Sequence, residues 1–199
     1  MNKLVLATRN QDKVGEILAI CSGMSIEFVP LDRFPDVGNI IEDGDSLEAN
    51  ALKKAREVHR ATQLPSLADD SGLEVGYLNG APGVLSSRYA GPNATYADNC
   101  KKLLENLRGV PPRRRGAKFR CVLALVGPDV EEIAEGTCHG AIIEYPRGNH
   151  GFGYDPLFVP QGHTRTLAEM ESSQKNSLSH RSRAIQNMKD TLDTYFSRK

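Results

Sequence analysis

Two strand-like runs, Ala117–Val126 and Glu132–Ile143, flank the tripeptide Gly127-Pro128-Asp129. That tripeptide is turn chemistry, and runs joined so briefly must lie side by side and antiparallel. The spacing therefore predicts one long hairpin. A hairpin of this length rules out a purely parallel sheet. The rest of the chain alternates strands with helices, so the predicted class is α/β with a mixed sheet.

Lys3–Ala7 reads as a buried strand, Lys13–Cys21 as a helix with Val14, Ile17 and Leu18 on one face, and Ile26–Val29 as a strand stopped by Pro30. Leu31–Asp45 has no period and reads as a loop. Ser46 caps a helix that runs to Gln63, with Glu48 in its first turn. Leu47, Ala51, Ala55 and Val58 mark its apolar face; Asn50 and Lys54 lie opposite, one turn apart. Strand signals return at Ser66–Ala68 and Leu73–Tyr77. Thr95 and Asp98 cap a helix through Leu107. Pro111–Gly116 is a turn whose arginine triplet reads as solvated. Leu157–Val159 is a short strand, and a last helix starts at Ser177 or Ser179 and buries Ile185, Met188, Leu192 and Phe196.

The 199 residues fit one domain, 1–199, and no linker or repeat divides them. Lys plus Arg and Asp plus Glu number 25 each, so the formal net charge is zero. Nucleic-acid binding needs surplus positive charge, and neutrality argues against it. Cys21, Cys100, Cys121 and Cys138 form no C-x-x-C pair, and the N-terminus does not resemble a signal peptide. The expectation is a reduced cytoplasmic protein without structural zinc. No apolar run has transmembrane length.

Five segments can carry chemistry. Ser66-Leu67-Ala68-Asp69-Asp70-Ser71-Gly72-Leu73 ends an apolar run in two carboxylates, a hydroxyl and a glycine. It reads as a strand tip presenting acids at a turn, either to a hard cation or as an Asx-turn with no chemistry. A second acidic cluster, Glu42-Asp43-Gly44-Asp45, could complete a Mg²⁺ site, which needs only one or two carboxylates besides phosphates and water. Thr8-Arg9-Asn10-Gln11-Asp12-Lys13 joins a strand to a helix, where backbone N–H groups and Lys13 can hold phosphate; the alternative is an ordinary capped turn. It lacks the P-loop pattern. In Gly151-Phe152-Gly153-Tyr154-Asp155-Pro156, Phe152 can stack on a base and Asp155 can accept from it, or the aromatics fill core. Lys175 and Ser179-His180-Arg181 gather polar groups suited to phosphate or a purine carbonyl. No serine elbow or Cys–His pairing points to a covalent hydrolase.

In order along the chain stand A-T-x-N-x-x-K at Ala7–Lys13, N-A-x-x-K-A at Asn50–Ala55, A-D-D-S-G at Ala68–Gly72, F-G-Y-D-P at Phe152–Pro156 and S-H-R at Ser179–Arg181. Gly83 and Ser87–Gly91 add to the pattern. Across essentially its whole length the chain resembles the inosine/xanthosine triphosphate pyrophosphatase family, also called Ham1 or RdgB-like. The resemblance implies an elongated mixed α/β fold of two lobes with an active-site cleft. It implies Mg²⁺-dependent hydrolysis of ITP, dITP and XTP to monophosphate and pyrophosphate by a cytoplasmic homodimer, with neither nucleic acid nor membrane as partner. On this sequence, Thr8, Arg9, Asn10, Gln11, Asp12 and Lys13 would bind the triphosphate. Asp70 would be the catalytic acid residue and, with Glu42, the metal ligand. Ser71 would touch substrate, and Phe152, Gly153, Tyr154, Asp155, Lys175, His180 and Arg181 would form the nucleobase side. Asn50 and Lys54 would contribute secondarily to phosphate or metal. Arg9 and Asp12 depart from the small residues or glycine that many members carry there. Ala49 replaces a glutamate found in some relatives. The rivals are a Maf-like pyrophosphatase acting on another modified nucleotide and a non-catalytic nucleotide sensor.

Overall fold

The computed structural model describes residues 2–197. Its elements are β1 (Lys3–Leu6), α1 (Gln11–Ile20), β2 (Glu27–Pro30), α2 (Leu47–Thr62), β3 (Ser66–Val75), α3 (Tyr96–Asn106), β4 (Gly116–Gly127), β5 (Val130–Ile142), β6 (Phe158–Pro160), α4 (Ser172–Leu178) and α5 (His180–Ser197). The strands form one sheet in the order β2-β1-β3-β4-β5-β6. β1 runs parallel to β2 and to β3, whereas β5 and β6 are antiparallel. The hairpin expected from Gly127-Pro128-Asp129 forms as β4 and β5, and the mixed α/β sheet follows from it.

The chain divides into two compact units. The first comprises Met1–Asp70, Cys121–Gly136 and Arg181–Lys199; the second comprises Ser71–Arg120 and Thr137–His180. Each has its own core. In the first, Leu4, Leu6 and Leu67 pack with Leu123 and Leu125 of β4, Val14 and Ile17 of α1, and Ile185, Met188, Leu192 and Phe196 of α5. Val5 is as buried as its neighbours, although its side chain points to the opposite sheet face. Its register partner Ser66 shares that face and donates from Oγ to Ala55 O of α2 at 2.5 Å. Thus α1 and α5 cover one side of β1 and β3, and α2 covers the other. In the second unit Leu73, Leu103, Leu107, Phe119, Leu157, Phe158 and Leu167 cluster.

Local signals placed the starts of α2 and α3, whereas α1 begins at Gln11, two residues before the expected Lys13. Asn10 caps α1 by accepting from Asp12 N and Lys13 N, Ser46 caps α2, and Thr95 with Asp98 forms a capping box on α3. Four expectations need correction. The acidic segment of β3 is no turn: a single strand runs unbroken from Ser66 to Val75, merging the two expected pieces. Its tight stretch is Gly72, where a Cβ would lie 2.5 Å from Gly83 O, so only glycine lets that backbone pass. Asn50 and Lys54 are 1% and 7% exposed, not on a solvated face. Arg115 is buried, unlike Arg113 and Arg114, because its guanidinium donates to Val110 O, Leu107 O and Ile143 O. Finally, a short helix, α4, precedes α5, which begins at His180.

Candidate active site

Side-chain alternation along β3 separates the two aspartates. Leu67 and Asp69 point toward α1 and α5, whereas Ala68 and Asp70 point toward α2. Each acid meets the cations of its own side. Asp69 receives Lys13 Nζ from α1 at 2.6 Å and Arg181 Nε from α5 at 2.6 Å, and Cys121 Sγ at 3.2 Å. Arg181 also pairs with Glu16 of α1. The Asp69 and Arg181 side chains are 0% and 1% exposed. Burial works to raise the Asp69 pKa, but Arg181 and Lys13 outweigh it and hold the carboxyl well below its ordinary range.

On the other side, Lys54 Nζ is the hub. It donates to Glu42 Oε1, to Asp70 Oδ1 at 3.1 Å and to Asp69 O at 2.8 Å. Burial would lower the Lys54 pKa, but Asp70 and Glu42 together raise it. The balance at Asp70 is opposite. Burial, helped by the Glu42 charge, raises its pKa despite Lys54 and Lys13. Asp69 is therefore a locked anion, and Asp70 is a carboxylate whose affinity for a proton is increased. That is the property a proton acceptor needs.

The β1–α1 connection lies in the same unit. Thr8 Oγ1 accepts from Asn10 N, and Asn10 Oδ1 occupies the Asp12 and Lys13 amides that a helix start would offer to phosphate. Arg9 holds Asp32 and Val37 O, and Gln11 donates to Asp32 Oδ2 at 2.7 Å. Asp12 is exposed. The structure thus brings Lys13, Glu42, Lys54, Asp69, Asp70 and Arg181 into one set of contacts. Arg181, expected beside the nucleobase, has its guanidinium engaged by Asp69 and Glu16. Sequence reasoning passed over Glu16 and Cys121, and gave Lys54 only a secondary place. Its spacing of one turn from Asn50 was the available signal.

The second unit gathers the remaining residues. Asp155 Oδ2 accepts from Phe152 N at 2.9 Å and pairs with Lys175 Nζ, which also sits 4.7 Å from the Phe152 ring centroid. Gly151, at φ +73°, brings the backbone against Asp155, where any Cβ would collide with Oδ2. The Cys100 thiol donates to Gly153 O at 3.3 Å. Burial, with Asp155 adding to it, pushes the Cys100 pKa up to about 11, so the thiol stays protonated and is a poor nucleophile. His180 stacks on Phe119 with centroids 4.9 Å apart and planes at 13°. Tyr154 is core: it is 4% exposed and its hydroxyl donates to Ser86 O at 2.9 Å. Ser71, half-buried, opens this unit on β3. A cavity of about 820 Å³ is lined by Tyr96, Cys100, His150, Phe152 and Gly153, among others.

Among the described residues, no group of three or more His, Cys, Asp or Glu side chains could cage a metal. Glu42 and Asp70 are nevertheless hard oxygen donors that converge on one cationic group, Lys54 Nζ, and two carboxylates suffice when phosphates and water complete the shell. The donor chemistry fits a hard divalent ion.

Known proteins resemble the chain in both sequence and backbone. A Ham1 family model matches residues 4–191. A protein of Geobacter sulfurreducens named dITP/XTP pyrophosphatase is 48% identical over 193 residues, covering 96% of this chain and 97% of that one. One of the same name from Shouchella clausii is 45% identical and covers 97% and 98%. The solved HAM1 protein of Coxiella burnetii superposes with a TM-score of 0.86 at 42% identity, covering all of both chains. The Staphylococcus aureus Ham1 protein gives 0.87 at 34%, covering 98% of this chain and all of that one. A family match that begins in β1 and ends in α5 leaves one assignment: the chain belongs to the Ham1 family.

Proposed function

We propose that this chain is a nucleoside triphosphate pyrophosphatase that hydrolyses the deaminated purine nucleotides ITP, dITP and XTP to monophosphate and pyrophosphate. The observation that carries this is the 42–48% identity, over nearly the whole chain, to proteins named dITP/XTP pyrophosphatase. The contrast between Asp69 and Asp70 supports the reaction type. In the proposed step a water oxygen bonds to the α-phosphorus and the bridging bond to the β-phosphate oxygen breaks. Asp70 orients that water and accepts its proton, and pyrophosphate departs. Lys13 and Lys54 offset charge on the phosphates. Glu42 and Asp70 would hold Mg²⁺, which when bound supplies further charge neutralisation at phosphate oxygens.

Thr8, Arg9, Asn10, Gln11 and Asp12 are assigned with Lys13 to the triphosphate. Phe152 is assigned to stack on the purine, with Gly153, Ser71, Asp155, Lys175 and His180 at its edge or sugar. A donor such as the Lys175 ammonium suits the six-oxo group of hypoxanthine and xanthine. The six-amino group of ATP would instead set a donor against a donor, which disfavours it. We assign the active species as a homodimer, which sedimentation velocity across a concentration series tests by a mass that stays at twice the chain.

The direct test is a triphosphate panel with Mg²⁺, in which pyrophosphate and monophosphate are both quantified. Equimolar release from ITP, dITP and XTP, with ATP and GTP slow, is expected. Preference for a modified pyrimidine would favour the Maf-like reading. ITP binding without turnover would mean a sensor.

A further inference from the structure

We propose that Asn50 is a positioning residue whose side-chain amide clamps the Gly44 backbone and so holds the Glu42 carboxylate ready for a divalent cation. The proposal rests on the assignment of Glu42 as a metal ligand.

Asn50 lies on α2 one turn before Lys54 and is 1% exposed. Its Oδ1 accepts from Gly44 N at 2.8 Å. The fit is close: a Cβ on Gly44 would lie 2.7 Å from that oxygen and 3.0 Å from Ala49 Cβ. Segment 42–46 is tied to α2 at four points, and these differ in what a bound cation would do to them. Lys54 grips the Glu42 carboxylate itself, so it competes with any cation for the same oxygens. Lys53 pairs with Asp43 at the surface, where such pairs hold weakly. Ser46 Oγ accepts from Ala49 N, which fixes the helix start but lies four residues beyond Glu42. The Asn50–Gly44 bond is neutral, partly buried and two residues from Glu42. A cation does not compete for it.

A second observation separates this role from plain stability. Asn50 Nδ2 is buried and has no hydrogen-bond partner among the described residues. A buried unpaired donor destabilises, and alanine is the stronger helix former. The stability of α2 alone therefore gives no reason for asparagine at this position, whereas the acceptor for Gly44 does.

The test compares Asn50→Ala, Gly44→Ala and Glu42→Gln with wild type. Hydrogen exchange at the Gly44 amide is followed in metal-free protein, and Mn²⁺ affinity is measured by calorimetry without nucleotide. Asn50→Ala should speed Gly44 exchange by at least about tenfold and weaken Mn²⁺ binding about 10–100-fold, as loss of a group that orients a metal ligand does. Gly44→Ala should weaken Mn²⁺ binding comparably with Asn50 still present, by pushing the loop away. If Glu42→Gln weakens Mn²⁺ binding but Asn50→Ala leaves exchange and affinity within about twofold of wild type, the clamp is refuted. If Glu42→Gln leaves Mn²⁺ affinity unchanged, the metal assignment fails and takes this proposal with it.

Discussion

Replacing Asp69 with asparagine leaves the Arg181 guanidinium in the interior with only one of its two carboxylate partners, Glu16. Both side chains are at most 1% exposed, and Lys13, which also binds Asp69, is 15% exposed. Solvent cannot take over the lost interaction. Removing one partner of a buried ion pair costs about 3–5 kcal/mol, because the remaining charge stays desolvated. Glu16 still touches Arg181, so the lower part of that range applies first. For a chain of this size each kcal/mol moves Tm by about 2–4 °C, so a cost of about 3–4 kcal/mol should make Asp69→Asn melt about 6–16 °C below wild type. The pH dependence follows from the depressed Asp69 pKa. Its stabilisation is complete above the unfolded value near 3.9 and is lost only as pH falls through the folded value, well below that. The deficit of the variant should therefore be constant from about pH 5 to 8 and shrink only in stronger acid. Thermal and urea unfolding over that range, with Asp69→Asn, Arg181→Met and the double variant, provide the assay. The double variant should be less destabilised than the two single effects combined, by about 1 kcal/mol or more. A Tm loss under about 2 °C, or additivity within about 0.5 kcal/mol, would refute the buried-pair reasoning.

Asp70→Asn should lower kcat for ITP by at least about 10³-fold without lowering Tm. The raised pKa means the ionised carboxylate is unfavourable in the fold at neutral pH, and a neutral amide removes that term; paired activity and melting measurements at pH 7.5 check both halves. Lys175→Met should raise KM for ITP more than it lowers kcat, because it removes a group assigned to the base while leaving Asp70 intact; steady-state kinetics separate the two. Gly72→Ala should destabilise by about 1–3 kcal/mol through collision with Gly83 O, measured by urea unfolding, and an unchanged midpoint would contradict the close approach.

Much of this protein was legible in its sequence because the relevant physics is local. A Gly-Pro-Asp turn between two apolar runs determined the β4–β5 hairpin, and with it the mixed sheet. Ser46 and Thr95 announced two helix starts because a cap acts on amides two or three residues away. The ordered motifs drew attention to Asp70, Phe152 and Asp155 before any contact was visible. Tertiary structure decided what the acids of Ala68–Gly72 are. Two adjacent aspartates read locally as a turn, since an isolated strand cannot carry them into a core. β3 carries them because Lys13 lies 56 residues and Arg181 112 residues from Asp69 in sequence, and folding brings both to it. Lys54 is likewise drawn inward by Glu42 and Asp70, although helix periodicity alone put it outside. Strand alternation then sends Asp69 and Asp70 to opposite sides of the sheet. Long-range charge compensation, invisible to any local window, makes one a fixed anion and leaves the other a carboxylate that can accept a proton.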